Sequence, residues 1–325
     1  MKNMPLEIYA TLMIMAVCWL MLLALDILIC AGLRLLWGIP FGKAFLWGLL
    51  SLILPPALTA YGALIERNCF RIKEVEVSFK NLPAEFEGYR IAHISDIHSR
   101  SFKDREKHLQ KAADKINSLN PDMIAFTGDL ITLSPDELEG LIPALGSLTA
   151  KDGVFSVLGN HDYSIYSDGS AQEQQKHMED LIAKEKALGW DLLLDENRII
   201  RRGSGSIAVI GVQNTSPSKH FPSKGDLKRA SEGTEGVFRI VLSHDPMHWE
   251  SEIVGQDYPL TLSGHTHAMQ LSILGWSPSS LLFDQNRGLY RTRDQAIYVN
   301  PGLGETIFPA RIGVRPEITL ITLKR

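Results

Sequence analysis

The sequence has few cysteines and no strong charge of either sign, and each shortage excludes a class of protein. Its three cysteines are Cys18, Cys30 and Cys69. The first two lie in an apolar run and the third lies just beyond a second run, so neither a disulfide framework nor a cysteine metal site is expected. With 33 basic and 37 acidic residues the net charge is −4. Nucleic-acid-binding domains are normally basic, so no nucleic acid is expected as a partner.

Charge is also missing from two long stretches near the N-terminus. No residue from Ile8 to Leu25 is charged, the run resumes after Asp26 as far as Leu33, and Ala44 to Ile65 is a second uncharged stretch. Each has about the ~20 residues that cross a bilayer, and the first is too long for a signal peptide. We interpret them as two retained transmembrane helices, the second kinked or split at Pro55-Pro56. One span followed by a re-entrant segment is the alternative.

The side of the membrane follows from the basic residues that flank these spans. Two spans place the N-terminus and the large C-terminal part on the same side. The connecting loop carries Arg34 and Lys43, whereas the outer ends carry more basic residues, namely Lys2, Arg67, Arg71, Lys73 and Lys80. The positive-inside rule therefore predicts a cytoplasmic location for the C-terminal part.

The pattern of apolar runs divides the chain into three segments. Residues 1–65 form the membrane anchor, 66–88 a juxtamembrane connector, and 89–325 a folded domain. In the domain, strand-like runs first alternate with helical patterns, including a helix predicted over Pro135–Leu148 with Ser134 as its cap, and later follow one another directly. This order predicts an α/β domain of two stacked β-sheets flanked by helices.

Five short polar blocks each follow a strand-like run. They are Asp96-Ile97-His98, Gly128-Asp129, Gly159-Asn160-His161-Asp162, Ser243-His244 and Gly264-His265-Thr266-His267. Alone, most of them have an ordinary interpretation as turns or caps, whereas the two imidazoles of the last block, two positions apart, are typical of a metal site. Loops at the carboxyl ends of strands in α/β sheets gather ligands. Together the blocks therefore predict one site for two divalent cations that share a carboxylate.

The order of these blocks and the residues in them resemble the motifs of the calcineurin-like metallophosphoesterase superfamily over about residues 89–325. The apolar front and the segment Tyr89–His98 are similar to its bacterial, membrane-anchored YkuE-like branch. The resemblance implies a four-layer αββα fold. It also implies a binuclear metal-dependent phosphoesterase, which hydrolyses a phosphodiester or pyrophosphate bond with a metal-activated water.

The resemblance also assigns roles to matching residues. It implies that one metal ion is held by Asp96, His98, Asp129 and His267, and that the second is held by the shared Asp129 with Asn160, His244 and His265. His161 would stand beside the phosphate and stabilise the transition state or protonate the leaving oxygen. A mixed oxygen and nitrogen donor set suits manganese, with iron or zinc as alternatives.

Two positions depart from the branch, and they leave the substrate open. Ala268-Met269 stands where Gly-Gly is common, and Pro301 stands where a basic residue is frequent. The anchor suggests a substrate at the bilayer surface, such as a phospholipid or a lipid-linked nucleotide, as for the UDP-diacylglucosamine hydrolases of the superfamily. The alternatives are an enzyme of soluble phosphodiesters that is merely tethered, and a catalytically silent scaffold, which would lack ligands that are present here.

The expected location is the bacterial inner membrane, as a multi-pass protein. The partners predicted are the phosphoester substrate and the bilayer, and no protein partner is inferred. The remaining histidines are predicted to be structural or solvated, namely His93, His108, His177, His220 and His248.

Overall fold

The computed structural model describes residues 6–325, so Lys2 of the charge comparison lies outside the described residues. Helix α1 spans Leu6–Trp37. The second apolar segment consists of α2 (Phe41–Gly48), a 3-10 turn (Leu49–Ile53) and α3 (Leu54–Leu64). Prolines lie in the first turn of α3, where the missing amide donor is tolerated. The second segment thus changes from a 3-10 turn to an α-helix just before the proline pair, where the sequence predicted a kink or a split.

The apolar side chains of these helices face outward. Leu20, Met21, Leu28 and Leu35 are exposed by 67%, 68%, 70% and 85%. The segments 8–37 and 41–68 are both long and apolar enough to cross a membrane. An apolar surface of this extent would be unfavourable in water and matches the hydrocarbon region of a bilayer.

The remaining chain forms twelve strands and four α-helices within the described part, besides short 3-10 and π-helical turns. The strands are β1 (Arg71–Ser78), β2 (Arg90–Ile94), β3 (Met123–Phe126), β4 (Val154–Ser156), β5 (Asp191–Leu192), β6 (Glu196–Arg202), β7 (Gly205–Gly211), β8 (Phe238–Leu242), β9 (Leu260–Ser263), β10 (Gly288–Thr292), β11 (Gln295–Val299) and β12 (Glu317–Lys324). The helices are α4 (Glu106–Ser118), α5 (Ile142–Gly146), α6 (Ala171–Ala187) and α7 (Leu227–Ala230).

The strands form two six-stranded sheets. The first has the order β1-β12-β2-β3-β4-β5 and the second β10-β11-β9-β8-β7-β6. Neighbours from β2 to β5 are parallel, as are β7, β8 and β9. Strand β1, from the segment interpreted as a connector, pairs in parallel with β12 along its whole length. The last strand of the chain is thereby joined to the segment that follows the anchor.

Three apolar cores lie between the layers of the fold. The inner faces of both sheets meet in a core that includes Phe155, Ile240 and Tyr298. The outer face of the first sheet packs against α4 and α6, and that of the second packs against α7. The layer order is helix, sheet, sheet, helix, so the predicted fold class is confirmed.

One predicted helix is broken. In place of a helix over 135–148 the chain has a 3-10 turn, Pro135–Leu138, followed by the short α5. Gly140 between them has a φ of 80°, which a helix cannot contain. Ser134 makes no capping bond; instead the carboxylate of Glu137 accepts hydrogen bonds from the amides of residues 132 and 133.

Candidate metal centre

The five polar blocks meet at one end of the two sheets. Each begins within three residues of the carboxyl end of one of five strands, β2, β3, β4, β8 and β9. Because these strands are parallel to their neighbours within each sheet, their carboxyl ends lie along one edge. The position at strand ends that the sequence predicted is therefore correct.

A first group of potential ligands combines the first and last blocks. It consists of Asp96, His98 and His267, whose ligand atoms all lie within 4.8 Å of one another. His267 Nε2 is 3.2 Å from Asp96 Oδ1 and 3.1 Å from His98 Nε2. All three residues are at most 4% exposed. We call these residues the inner group.

A second group is drawn from three loops. His244 Nε2 lies 3.1 Å from Asp129 Oδ2 and 3.2 Å from His265 Nδ1. Asn160 Oδ1 lies 2.8 Å from the same His265 nitrogen. We call Asn160, His244 and His265 the outer group.

Asp129 lies between the two groups. Its Oδ2 is 3.5 Å from His98 Nε2 of the inner group and 3.1 Å from His244 Nε2 of the outer group. Its Oδ1 accepts a hydrogen bond of 2.8 Å from the backbone amide of His161. All seven predicted ligand residues are thus brought together, with Asp129 in the position that a shared carboxylate would need.

Backbone strain is concentrated on these residues. Asp96, His98, Asp129, His265 and His267 have φ values of 50°, 44°, 58°, 72° and 49°. Such values are unusual for residues other than glycine, and they cluster at functional sites, where the surroundings over-determine the conformation. Facing imidazole nitrogens, buried carboxylates and this strain together fit a site for two divalent cations.

Two glycines permit the close approach of the loops. A Cβ on Gly264 would overlap Ser95 Oγ and Asp96 Oδ2, and a Cβ on Gly159 would overlap Asp129 Oδ1. The glycine of each block is therefore required by packing against a ligand that lies on a different loop.

The electrostatics favour the metal-binding forms of Asp96, Asp129, His98 and His265, but the protonated form of His244. Burial opposes ionisation of Asp96 and Asp129, but neighbouring histidines outweigh it and hold the pKa of both carboxyls below their usual range. Burial lowers the pKa of His98 and His265, which keeps both imidazoles neutral. Burial opposes the charged form of His244 too, but Asp129 raises its pKa to about 10. The pocket beside Asp129 thus favours positive charge.

His161 lies at the edge of the groups and is partly exposed. Its Nδ1 lies 2.8 Å from the carbonyl oxygen of Thr132, and its ring lies 4.3 Å from the ring of Tyr166. An Nδ1–H donated to that carbonyl leaves Nε2 as the nitrogen available to the site. His161 also lies near enough to His98 and Asp129 to form a third candidate ligand group.

Asp162 organises two of the loops, a role that sequence reasoning missed. Its buried carboxylate accepts hydrogen bonds of 2.8–3.1 Å from the amides of Gly159, Asp129, Leu130 and Ile131. Burial, and then the nearby Asp129 carboxylate, raise the pKa of Asp162 to about 7. Its place in the third block was the only signal for this role in the sequence.

Two further residues support the ligands from behind. Asp245 is buried, and its Oδ2 lies 3.9 Å from His265 Nε2. Arg311 is also wholly buried and donates from a terminal nitrogen to the Pro301 carbonyl at 3.0 Å, with His267 Nδ1 at 3.5 Å. Asp245 follows a ligand directly in the sequence, whereas nothing in the sequence pointed to Arg311.

Aromatic rings border the outer group. The ring centroids of Phe221 and Phe283 lie 4.7 Å and 5.7 Å from that of His265, both edge-on. With Tyr166 beside His161 they give this side of the centre a partly apolar rim.

A family model described as Calcineurin-like phosphoesterase matches residues 89–269. The chain is 30% identical over 297 residues to the uncharacterized metallophosphoesterase YkuE of Bacillus subtilis, covering 87% of this chain and 97% of that one. It is 32% identical over 289 residues to a transmembrane protein with metallophosphoesterase domain of Danio rerio, covering 85% of this chain but only 62% of the relative. The chain is 26% identical over 310 residues to the UDP-2,3-diacylglucosamine pyrophosphatase LpxG of Chlamydia trachomatis, with 79% and 90% covered.

Proposed function

The chain belongs to the calcineurin-like phosphoesterase family, and we propose that it is a membrane-anchored, binuclear metal-dependent enzyme that cleaves a phosphodiester or pyrophosphate bond. The observation that carries this proposal is the position of Asp129 between two groups of buried nitrogen and oxygen ligands. Two-metal sites that share a carboxylate are suited to phosphoester hydrolysis.

One metal ion would be held by the inner group and Asp129, and the other by Asp129 and the outer group. Bound there, the two ions supply Lewis-acid activation of the phosphoryl group and of the attacking water. We propose manganese, with iron or zinc as alternatives, because the donors are oxygen and imidazole nitrogen.

His161 would act as the catalytic acid and not as a ligand. The Thr132 carbonyl accepts from Nδ1–H, which orients the ring and leaves Nε2 facing the site. From Nε2 the ring can donate a proton to the leaving oxygen. The aromatic rim beside His161 and His265 would limit the access of water to the transferring proton.

Diester hydrolysis tests the metal centre. Full-length protein in detergent is expected to hydrolyse bis-p-nitrophenyl phosphate with added manganese, and Asp129→Ala and His161→Ala are each expected to lose most of this activity. The surface variant Asp180→Ala on α6 is the matched control and should retain it. A metal-loaded wild type without activity would favour the scaffold alternative.

The substrate would be a phospholipid or a lipid-linked nucleotide. Two observations support this: the two apolar segments that precede the domain, and a relative named as a pyrophosphatase of UDP-2,3-diacylglucosamine. Turnover of that compound in mixed micelles should be compared with turnover of the same nucleotide sugar without acyl chains. We expect a higher kcat/KM with the acylated compound; equal values would favour an enzyme of soluble substrates.

The chain would be a multi-pass protein of the bacterial inner membrane with residues 66–325 in the cytoplasm. Cys69, which is exposed beyond the second span, provides the test. A membrane-impermeant maleimide is expected to label it only after spheroplasts are lysed, with Cys69→Ser as the background. Labelling in intact spheroplasts would reverse the orientation.

A further inference from the structure

We infer that a basic cavity beside the end of the anchor binds the phosphate-bearing headgroup of an anionic membrane lipid, with an adjacent apolar loop among the acyl chains. The basic cavity is the one bordered by Arg71, Lys73, Arg287 and Arg315. The apolar loop is residues 271–283. This inference rests on the proposed insertion of the two N-terminal segments in a bilayer, and it does not require the metal centre to be active.

The cavity has a volume of about 510 Å³, which is ample for a phosphate-bearing headgroup. Four basic side chains line it, and none of the four takes part in an ion pair anywhere in residues 6–325. Unneutralised cations around one cavity attract an anion.

The two acidic residues of the lining have other partners. Glu66 Oε2 accepts a hydrogen bond of 2.9 Å from the Gly313 amide. Glu317 Oε1 accepts bonds of 2.6 Å from the hydroxyl of Tyr298 and 3.0 Å from that of Thr319. Four basic and two acidic residues leave the lining with a positive balance.

The apolar loop exposes several large side chains together. Ile273, Leu274, Trp276, Leu281 and Leu282 are exposed by 59%, 104%, 53%, 75% and 62%. A cluster of this kind marks a surface that meets an apolar partner.

The loop is held in place and is joined to the cavity. Residues 273 and 276 exchange backbone hydrogen bonds of 2.8 Å and 3.0 Å. Arg287, one of the four cations, donates to Ser272 Oγ at 3.2 Å and to the Gly275 carbonyl at 3.0 Å. Leu274 lies in the cavity lining as well. Basic and apolar surfaces are therefore parts of one site.

Contacts with the anchor place this site at the exit of α3. Gly62 of α3 packs so closely on the backbone of Arg311 that a Cβ there would lie 2.6 Å from its carbonyl oxygen. Residue 312 in turn accepts a backbone bond of 2.8 Å from Ser272 of the loop. Arg67, just beyond α3, pairs with Glu305 at 2.8 Å. Since α3 ends the second span, the loop lies where the chain leaves the membrane.

A partner for this site must offer anionic groups next to apolar chains. A bilayer surface does so, and the two proposed spans already place it next to the site. It presents phosphate groups above apolar chains, and it attracts basic residues and tryptophan to its interface. The last residue of the loop, Phe283, packs edge-on at 5.7 Å against His265 of the outer group, so the loop also borders the metal centre.

Quenching of Trp276 by brominated lipids tests this site. Full-length protein is reconstituted in phosphatidylcholine vesicles that contain an equal fraction of either dibrominated phosphatidylglycerol or dibrominated phosphatidylcholine. The chain has six tryptophans, so Trp276→Phe provides the baseline in each preparation. We expect the anionic lipid to quench the Trp276 signal more strongly than the zwitterionic one.

Charge variants locate the binding site. Arg71→Gln/Lys73→Gln/Arg315→Gln is expected to remove the preference. The affinity for the anionic lipid should fall by roughly fivefold for each charge lost. Arg71→Lys/Arg315→Lys keeps the charge and should keep the preference. The matched control, Lys107→Gln/Lys111→Gln/Lys186→Gln, removes three charges from α4 and α6 and should also keep it.

Each other result would overturn the inference in a defined way. No quenching by either lipid means that the loop does not enter the bilayer, and equal quenching means that the cavity does not select an anion. If the preference persists in the glutamine triple variant, the anionic lipid binds to another surface. If the wild-type preference is lost when inorganic phosphate is added, the cavity binds a soluble ligand. Hydrolysis of bis-p-nitrophenyl phosphate by the same wild-type preparation reports separately on the proposed catalytic function.

Discussion

The inner and outer groups of the metal centre are built differently. The inner group takes two of its residues from one loop and lies in front of the wholly buried Arg311, with no residue more than 4% exposed. The outer group takes its residues from three loops and adjoins the aromatic rim, and its His265 is partly exposed. The enclosed inner group is suited to retaining an ion, and the outer group is the more accessible of the two through His265.

The support behind the two groups also differs. Asp162 binds four amides of the loops that carry Asp129 and Asn160, and Asp245 lies behind His265. The geometry of the outer group therefore depends on buried carboxylates that are not themselves proposed ligands. Four predictions, from the largest expected effect to the smallest, test this difference.

Asp129→Asn should impair both groups equally, because it replaces the carboxylate that they share with an amide, which is a weaker metal ligand. We expect kcat/KM for a phosphodiester to fall by roughly 10³-fold and the bound metal to decrease at both positions. Metal content by elemental analysis and initial rates measure the two effects. Asp180→Asn is the isosteric control. Retention of both ions at full occupancy would contradict the shared role.

His161→Gln should reduce turnover without removing metal, because His161 is proposed as an acid. We expect kcat to fall by about 10²-fold with an alkyl leaving group. The loss should be smaller with p-nitrophenolate, which needs less protonation as it leaves. A variant that loses one ion, with equal losses for both leaving groups, would instead make His161 a ligand.

The layer behind the outer group contains a buried carboxyl, Glu185 on α6, which accepts a hydrogen bond of 2.6 Å from Ser156 at the end of β4. Burial, and then Asp162, raise the pKa of Glu185 to about 8. Between its unfolded pKa and about 8 the folded state binds the extra proton, so the stability from this group is present at low pH and declines as the pH rises.

Glu185→Gln should therefore stabilise the fold by about 1–3 kcal/mol at pH 7, and the difference should vanish towards pH 4. Thermal unfolding of both proteins across this pH range measures it. The exposed Glu179→Gln on the same helix is the control. An unchanged or lowered stability at pH 7 would mean that Glu185 is ionised in the folded state.

Asp245→Asn should affect only the outer group. Metal release into a chelator is expected to show two phases, and the variant should accelerate the faster phase by about tenfold, since carboxylates behind a ligand histidine contribute about 10–100-fold to affinity. A metal-sensitive dye follows the release. Acceleration of the slower phase would show that the groups are not independent.

Much of the site could be predicted because its residues follow strands in short blocks. Asp96 and His98 lie two residues apart after β2, and His265 and His267 repeat this spacing after β9. Because these strands are parallel to their neighbours, their carboxyl ends then bring the blocks together at one edge of the sheets. Arg311 and the cations of the basic cavity have no such signal, because Arg71 and Lys73 of β1 meet Arg287 and Arg315 of distant loops only in the folded chain.

The sequence by itself determined the two apolar spans, the alternation of strands and helices and the identity of the proposed ligands. Each of these depends on local composition or on a strand ending at a known point. Only the tertiary structure decided which ligands face each other, which group is enclosed, and that residues 66–73 meet residues 301–317 beside the apolar loop. The reason is physical: the contact between the ligands His98 and His267 spans 169 residues, and those of residues 66–73 with residues 301–317 span more than two hundred, through side-chain packing that no local pattern encodes.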